Sequence, residues 1–491
     1  MGKEILNLEP KALWKHFYAL TQIPRPSKKE DKAVEFVKNF GESLGLETIV
    51  DEIGNVIIRK PATPGMEDRK GIILQGHLDM VPQKNADKDH DFEKDPIEAY
   101  VDGEWVTANG TTLGADNGMG VAAAMAVLEA TDLEHGPIEA LFTIDEETGM
   151  TGAENLKPGL LQGDILLNMD SEDEGELYIG CAGGINTNAT MEYKEEETPK
   201  DVVAYNITVK GLKGGHSGLD INLGRANANK IMNALLMTAA EKFDIRLAEL
   251  QGGSLRNAIP RESFAVVVVP KDQKEKFEQY IKEFTEIAKD EFKDTEPDME
   301  ISAEAREEIP AKVMAKEDQQ KLFKAVAEAP NGVIKMSESI EGIVETSTNL
   351  AIVNVKNGKI EISTLQRSLV DADRDKIAEQ MRKVFSEAGL NAMSDGVYPG
   401  WKPNPDSAIL KEMKEIYNNK FGKVPEVKVI HAGLECGLLG AIYPNWDMIS
   451  FGPTIRFPHS PDEKVNIATV QKFWDFLVET LKNAPKKPVE A

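Results

Sequence analysis

Residues 72–79 read Ile-Ile-Leu-Gln-Gly-His-Leu-Asp. An apolar start marks an extended run, and the run ends in a histidine and an aspartate two positions apart. Side chains alternate along an extended segment, so His77 and Asp79 face the same side. Downstream, a Gly-rich loop over residues 109–120 leads into a helix of small residues over 121–130. A second apolar run, 138–144 (IEALFTI), stops in Asp145-Glu146-Glu147, and a third, 165–168, stops in Met169-Asp170. Strand, loop, helix and strand in this order predict an α/β sheet covered by helices on both faces. Ligands of such sheets bind beyond the carboxyl ends of the strands, where these polar residues lie.

Working outward, Leu13, Phe17 and Leu20 are spaced for one face of an opening helix, and residues 47–50 and 55–59 read as strands. Composition changes at residues 191–201 (MEYKEEETPKD), a charged linker or exposed edge. A second alternation of strands and helices follows over 205–303 and a similar one over 316–389, which suggests two α+β units in tandem. Pro and Gly at 397–405 mark another boundary. Helices at 408–420 and 467–483 and strands near 428–431 and 447–451 complete an α/β pattern. The expected organisation is therefore an α/β domain in two parts, 1–190 and 401–491, interrupted by an inserted α+β domain at 191–400. The Lys-Pro tail, 484–491, is expected to lack order.

The chain has 491 residues, with 57 Lys+Arg against 83 Asp+Glu and a formal net charge of −26. That balance repels phosphate backbones and anionic membrane surfaces, which argues against nucleic-acid and membrane partners. With 41% hydrophobic and 29% charged residues the composition is globular. No apolar run approaches the roughly 20 residues of a membrane helix, and residues 1–10 show no secretory signal. Two cysteines, Cys181 and Cys436, suggest no disulfide framework. A cytoplasmic protein is expected.

The chemistry concentrates at the segment ends. A carboxylate beside a metal-bound imidazole fixes its tautomer, although the His77–Asp79 pair taken alone better fits a buried histidine satisfied by its neighbour. Asp116, in Leu113-Gly-Ala-Asp-Asn-Gly-Met-Gly120, is either a helix N-cap or a carboxylate bridging two metals. Adjacent Glu146 and Glu147 are either a solvated acidic loop or a metal ligand beside a proton-transfer group. His459 stands between Pro458 and Pro461 in a loop, an odd place for a core histidine. Charge favours combining these segments: Asp116, Glu147 and Asp170, with one hydroxide, balance two divalent cations, and His77 and His459 complete the set as neutral ligands. Mixed histidine and carboxylate ligands suit zinc, with cobalt or manganese as replacements. Glu146 is left over as a general base.

The motifs GHLDMV, TLGADNGMG, DEETGM, NMDSE, GGHSG, RNAIPRE, HAGLECG and FPHSPDE occur in that order along the chain. Together they resemble the di-zinc aminopeptidase, carboxypeptidase and dipeptidase superfamily, and within it the aminoacyl-histidine dipeptidases. The resemblance implies a zinc-exopeptidase-like catalytic domain with an inserted lid, and hydrolysis of dipeptides, preferentially Xaa-His including β-Ala-His. An N-acyl amino-acid deacylase or a carboxypeptidase with the same di-zinc chemistry is the alternative. It implies one Zn2+ on His77 and Asp170, a second on Glu147 and His459, and Asp116 bridging both. Asp79 would orient His77, and Glu146 would move the proton. His216 would donate to the oxyanion when the lid closes, unless it is simply a hairpin histidine. Glu435 would receive the amino group; Asn257 and Arg367 are weaker candidates, Arg367 having a geometry suited to the substrate carboxylate. Each of these also has a plain structural reading. The resemblance also implies a cis peptide after Asp116 and a homodimer through the lid.

Overall fold

The run 72–77 is a strand whose six residues are all buried, as expected where a parallel strand is covered on both faces. It lies between Ile138–Thr143 and Ile165–Asn168, parallel to both. The computed structural model that shows this describes residues 2–488. The chain divides into two compact units. The first comprises Met1–Gly180, Trp401–Val429 and Leu434–Ala491; the second comprises Cys181–Gly400 and Ile430–Gly433. In sequence, an α/β unit is thus interrupted by an α+β unit.

The first unit is built on an eight-stranded sheet. Its order is Glu47–Val50, Val56–Lys60, Ile138–Thr143, Ile72–His77, Ile165–Asn168, Asp447–Ser450, Glu176–Cys181 and Glu426–Ile430. The helix Ala115–Glu129 packs against the helix Lys11–Thr21 and the strand Ile72–His77. Every residue from Ala115 to Leu128 is buried, so its lack of a polar face is what a helix enclosed on all sides requires. Small residues permit the close approach. A Cβ on Gly120 would lie 2.6 Å from the Met169 carbonyl oxygen. A separate four-stranded sheet joins Ala99–Asp102, Trp105–Ala108, Lys464–Asn466 and Ile455–Arg456, and its last hairpin carries the loop with His459.

The expected tail is ordered in part. The Ala484 carbonyl accepts from Arg69, the Pro485 carbonyl accepts from Lys70 N–H, and Lys487 N–H donates to the Asp68 carbonyl. Residues 489–491 lie outside the described residues.

The second unit contains a nine-stranded antiparallel sheet. Strands from both segments that read as tandem units share it. Arg246–Gly252 from the first pairs with Val344–Lys356 from the second, so there are not two separate sandwiches. Gly183–Glu192, expected in the catalytic part, belongs to this sheet through pairing with Lys359–Ser368 and Asn391–Tyr398. The unit accordingly begins at Cys181. Its core joins the apolar faces of helices Ala228–Phe243, Lys274–Glu291, Lys316–Glu328 and Asp371–Glu387 to the sheet. No helix among the described residues is long and apolar enough to cross a membrane.

Candidate metal centre

Three adjacent parallel strands deliver the acidic and imidazole groups from their carboxyl ends. His77 ends its strand, Asp170 follows Ile165–Asn168, and Glu146 and Glu147 follow Ile138–Thr143. Asp145 adopts a left-handed backbone (φ 52°) that turns the chain into the short helix Glu146–Gly149. Asp116 is not the N-cap of helix Ala115–Glu129, which is Gly114; its carboxylate is hydrogen-bonded to histidines. Its two oxygens instead face two histidines: Oδ1 lies 3.1 Å from His77 Nε2 and Oδ2 3.1 Å from His459 Nε2. Glu147 Oε2 is 3.1 Å from His459 Nε2. His77 Nε2 also lies 3.4 Å from Asp170 Oδ1 and 3.8 Å from Glu146 Oε2. The peptide between Asp116 and Asn117 is cis.

One imidazole nitrogen facing three carboxylates cannot satisfy them with a single proton. Burial opposes the charge on His77, but Asp170 and the hydrogen bonds to Asp116, Asp170 and Asp79 outweigh it and raise its pKa well above the ordinary value. His459, bonded to Asp116 and Glu147, is pushed up to about 11. Burial drives the Asp170 and Glu146 carboxyls well above the usual range, with neighbouring acids adding to the effect. Glu147 Oε1 is buried and has no partner among the described residues. Crowded carboxylates, two imidazoles and an unpartnered buried oxygen form a donor set that divalent cations fit. Two groups of three ligating atoms each lie within 4.8 Å: His77 with Glu146 and Asp170, and His77 with Asp116 and Glu147.

The support beneath these side chains is more extensive than the motifs suggest. His77 Nδ1 lies 3.1 Å from the Asp79 carbonyl oxygen and 3.3 Å from its carboxylate, which also accepts from Glu146 N–H (3.0 Å), Glu147 N–H (3.2 Å) and Ser27 Oγ (2.7 Å). It therefore positions the imidazole and both glutamates. Burial opposes its ionisation, but these bonds hold its pKa at about 2. Glu463 accepts from the backbone N–H groups of Leu113, Gly114 and Asp116 at 2.8, 3.0 and 3.2 Å. Arg25, 1% exposed, donates to the carbonyls of Gly114 (2.6 Å), Leu78 (2.9 Å) and Asp79 (3.2 Å). A buried carboxyl and a buried guanidinium thus hold the Asp116 loop by its amides and its carbonyls. Neither residue emerges from sequence reasoning. Glu463 stands four residues after His459, and Arg25 stands between two prolines, but only the fold brings them together. Gly114 is tied to this arrangement: its φ is +75°, and a Cβ there would meet Arg25 Nη2 at 2.6 Å.

Glu435 is 2% exposed at the start of helix Glu435–Ile442, and its Oε2 accepts from Gln75 Nε2 at 2.7 Å. The remaining expected residues lie in the second unit. The short ribbon pairing Gly215–His216 with Ala258–Ile259 carries His216 next to the Asn257 segment. His216 Nδ1 accepts from Gly218 and Leu219 N–H, which leaves its proton on Nε2. Asn257 is exposed and contributes its carbonyl to Ser217 N–H. Arg367 is 5% exposed, not a surface arginine, and donates to Tyr398 Oη at 2.8 Å. Opposite it in the sheet stands Ser347, whose hydroxyl lies 2.8 Å from His431 Nε2. His431 is pushed down to about 3 by burial and then by Arg367 and His216. His431 Nδ1, Arg367 Nε, Ser217 Oγ and Asn349 Oδ1 are all buried without partners among the described residues. His431 was not singled out by its sequence, although it opens the HAGLECG motif.

The model of peptidase family M20/M25/M40 matches residues 73–483. The chain belongs to that family. It is a peptidase, and its strand-end cluster lies within the matched region. The chain is 44% identical to the cytosol non-specific dipeptidase of Escherichia coli (strain K12), over 99% of this chain and 100% of that one. It is similar to the crystal structure of the aminoacylhistidine dipeptidase from Vibrio alginolyticus, with 49% identity, 98% of each chain covered and a TM-score of 0.93. The aminopeptidase PepT from Bacillus cereus ATCC 10987 shares the fold, with 16% identity, a TM-score of 0.56 and 97% of this chain and 98% of that one covered.

Proposed function

We propose that this peptidase is a cytoplasmic dipeptidase that uses two divalent cations and prefers Xaa-His substrates, β-Ala-His among them. The observation that carries the reading is the likeness, over nearly the whole of both chains, to the two dipeptidases. In this reading His77 and Asp170 hold one Zn2+, Glu147 and His459 hold the other, and Asp116 holds both; Co2+ or Mn2+ can replace zinc. When bound, the cations acidify water and polarise the scissile carbonyl.

The chain's own groups do the rest. Glu146 accepts the proton of the attacking water on its carboxylate and returns it to the amine nitrogen as the peptide C–N bond breaks. Asp79 occupies His77 Nδ1 and so keeps Nε2 directed at the site. In the second unit, the lid of this reading, His216 Nε2–H donates to the oxyanion. Arg367 takes the substrate carboxylate, His431 stands beside it, and Asn257 lends the carbonyl that shapes the His216 turn. Glu435 receives the amino group.

The test is release of histidine from β-Ala-His, Gly-His and Leu-His by purified protein, with added zinc and after chelation. Release that chelator abolishes and zinc restores supports the reading. No release from any of the three by metal-loaded protein refutes it.

A further inference from the structure

His216 stands on a loop that has little apolar burial to fix it. The loop, residues 211–226, joins the strand Val202–Lys210 to the helix Ala228–Phe243, which Asn227 caps. Leu219, Asn222, Leu223 and Gly224 are exposed, and of its larger apolar side chains only Leu212 and Ile221 are buried. A segment with so few buried apolar contacts opens easily unless hydrogen bonds hold it.

One side chain closes the neck of this loop. Glu296, 2% exposed, follows the helix Lys274–Glu291 and accepts from Lys213 N–H at 2.8 Å and Ala226 N–H at 2.9 Å, one amide on each oxygen. The two ends of the loop are therefore tied to a single carboxyl. Within the loop, Asp220 Oδ2 accepts from His216 N–H at 2.8 Å, and Asp220 N–H donates to the His216 carbonyl at 3.0 Å. Arg225 Nη1 lies 3.4 Å from Asp220 Oδ2 and donates to the Gly214 carbonyl at 2.6 Å. A Cβ on Gly215 (φ +129°) would strike both of these side chains, so the backbone passes where only glycine fits.

These bonds converge on one imidazole. The turn they close aims Gly218 and Leu219 N–H at His216 Nδ1, at 3.1 and 3.0 Å. Donors on Nδ1 leave the ring proton on Nε2. Burial, and then Arg367, holds the His216 pKa below the ordinary value, so the ring is neutral and Nε2–H is its one donor. If the turn relaxes, Nδ1 loses its donors and either tautomer can form; the tautomer with a bare Nε2 donates nothing there. The first unit uses the same device. Glu463 takes the amides of the Asp116 loop, and Arg25 donates to the Gly114 carbonyl.

Resting on the oxyanion role of His216 in the dipeptidase reading, we propose that Glu296, aided by Asp220 and Arg225, is a positioning residue that holds His216 as an Nε2–H donor. It touches no substrate and acts only through the loop it closes.

The test is a double-mutant cycle on Gly-His turnover by zinc-loaded enzyme, beside nitrogen NMR of histidine-labelled protein without substrate. Glu296→Gln turns an amide NH2 toward one of the two backbone donors. It should lower kcat about tenfold with KM within about twofold, and His216→Ala should lower kcat about a hundredfold or more. In the His216→Ala background, Glu296→Gln should change kcat by less than about twofold, because nothing is left to position. The His216 signal, identified by its loss in His216→Ala, should show an unprotonated Nδ1 in wild type and a tautomer mixture in Glu296→Gln. Glu296→Asp should restore part of both effects. Asp220→Ala, at a partly exposed side chain, should give the same pattern and decides the matter if circular dichroism shows Glu296→Gln unfolded. Unchanged kcat in Glu296→Gln, an equal loss with and without His216, or normal kcat in His216→Ala overturns the proposal. Turnover with an unmoved tautomer sinks the positioning role alone. No turnover by wild type sinks the dipeptidase reading, and a tautomer shift in Glu296→Gln then still establishes that Glu296 sets the imidazole.

Discussion

The two units build their polar clusters by opposite means. In the first, His77, Glu146, Glu147 and Asp170 all sit within four residues of a strand's last residue, on three strands that lie side by side. In the second, His216, Ser347, Arg367, Tyr398 and His431 come from five separate segments and meet only because a nine-stranded sheet and a short ribbon bring them together. A site made at strand ends repeats one local pattern, an apolar run stopping in acid or histidine. A site made across strands leaves no such pattern.

The comparison is most exposed at Glu146. If the first cluster is the reacting one, Glu146→Gln should lower kcat by about a thousandfold with metal content unchanged. Steady-state kinetics beside elemental analysis on the same preparation check this, and near-normal kcat would remove Glu146 from the role of base.

Next in size is the support of the Asp116 loop. Arg25→Met removes the guanidinium that donates to the carbonyls of Gly114, Leu78 and Asp79, a loss of about 3 kcal/mol or more. Thermal unfolding should shift down by about 5 °C or more, and zinc should bind more weakly. An unchanged melting temperature would mean that the loop does not depend on Arg25.

The smallest effect is expected in the second unit and depends on pH. His431 has a folded pKa of about 3 against an ordinary 6.5. Between those values the unfolded chain binds a proton that the folded chain refuses, so stability falls as pH drops from about 6.5 toward 3. Above 6.5 the imidazole is neutral in both states and contributes no slope. Replacing it by His431→Asn should flatten that part of the acid limb in urea titrations at a series of pH values. A limb of unchanged slope would assign the acid sensitivity elsewhere.

The difference between the units also accounts for what could be read from residues alone. His77, Glu146, Glu147 and Asp170 were legible because each ends an apolar strand, and Asp116 and His459 because glycines and prolines mark loops built for close approach. Glu463 and Arg25 were not, since their partners are backbone amides and carbonyls, which carry no sequence signature. Arg367 was a candidate, but its burial was not foreseeable, and His431 was missed because its partner Ser347 lies 84 residues away. The fold followed the same division. Parallel strands separated by helices read in order, whereas the second unit looked like two sandwiches, because antiparallel pairing between distant strands such as Arg246–Gly252 and Val344–Lys356 leaves no trace in either one.

The central claim is that the strand-end cluster holds two divalent cations with Asp116 shared between them. The direct measurement is the zinc content of exhaustively dialysed protein, wild-type beside Asp116→Asn. The account predicts two zinc ions per wild-type chain and one or none in the variant, both proteins giving the same circular dichroism spectrum. Fewer than two in the wild type, or two retained after Asp116→Asn, would contradict it.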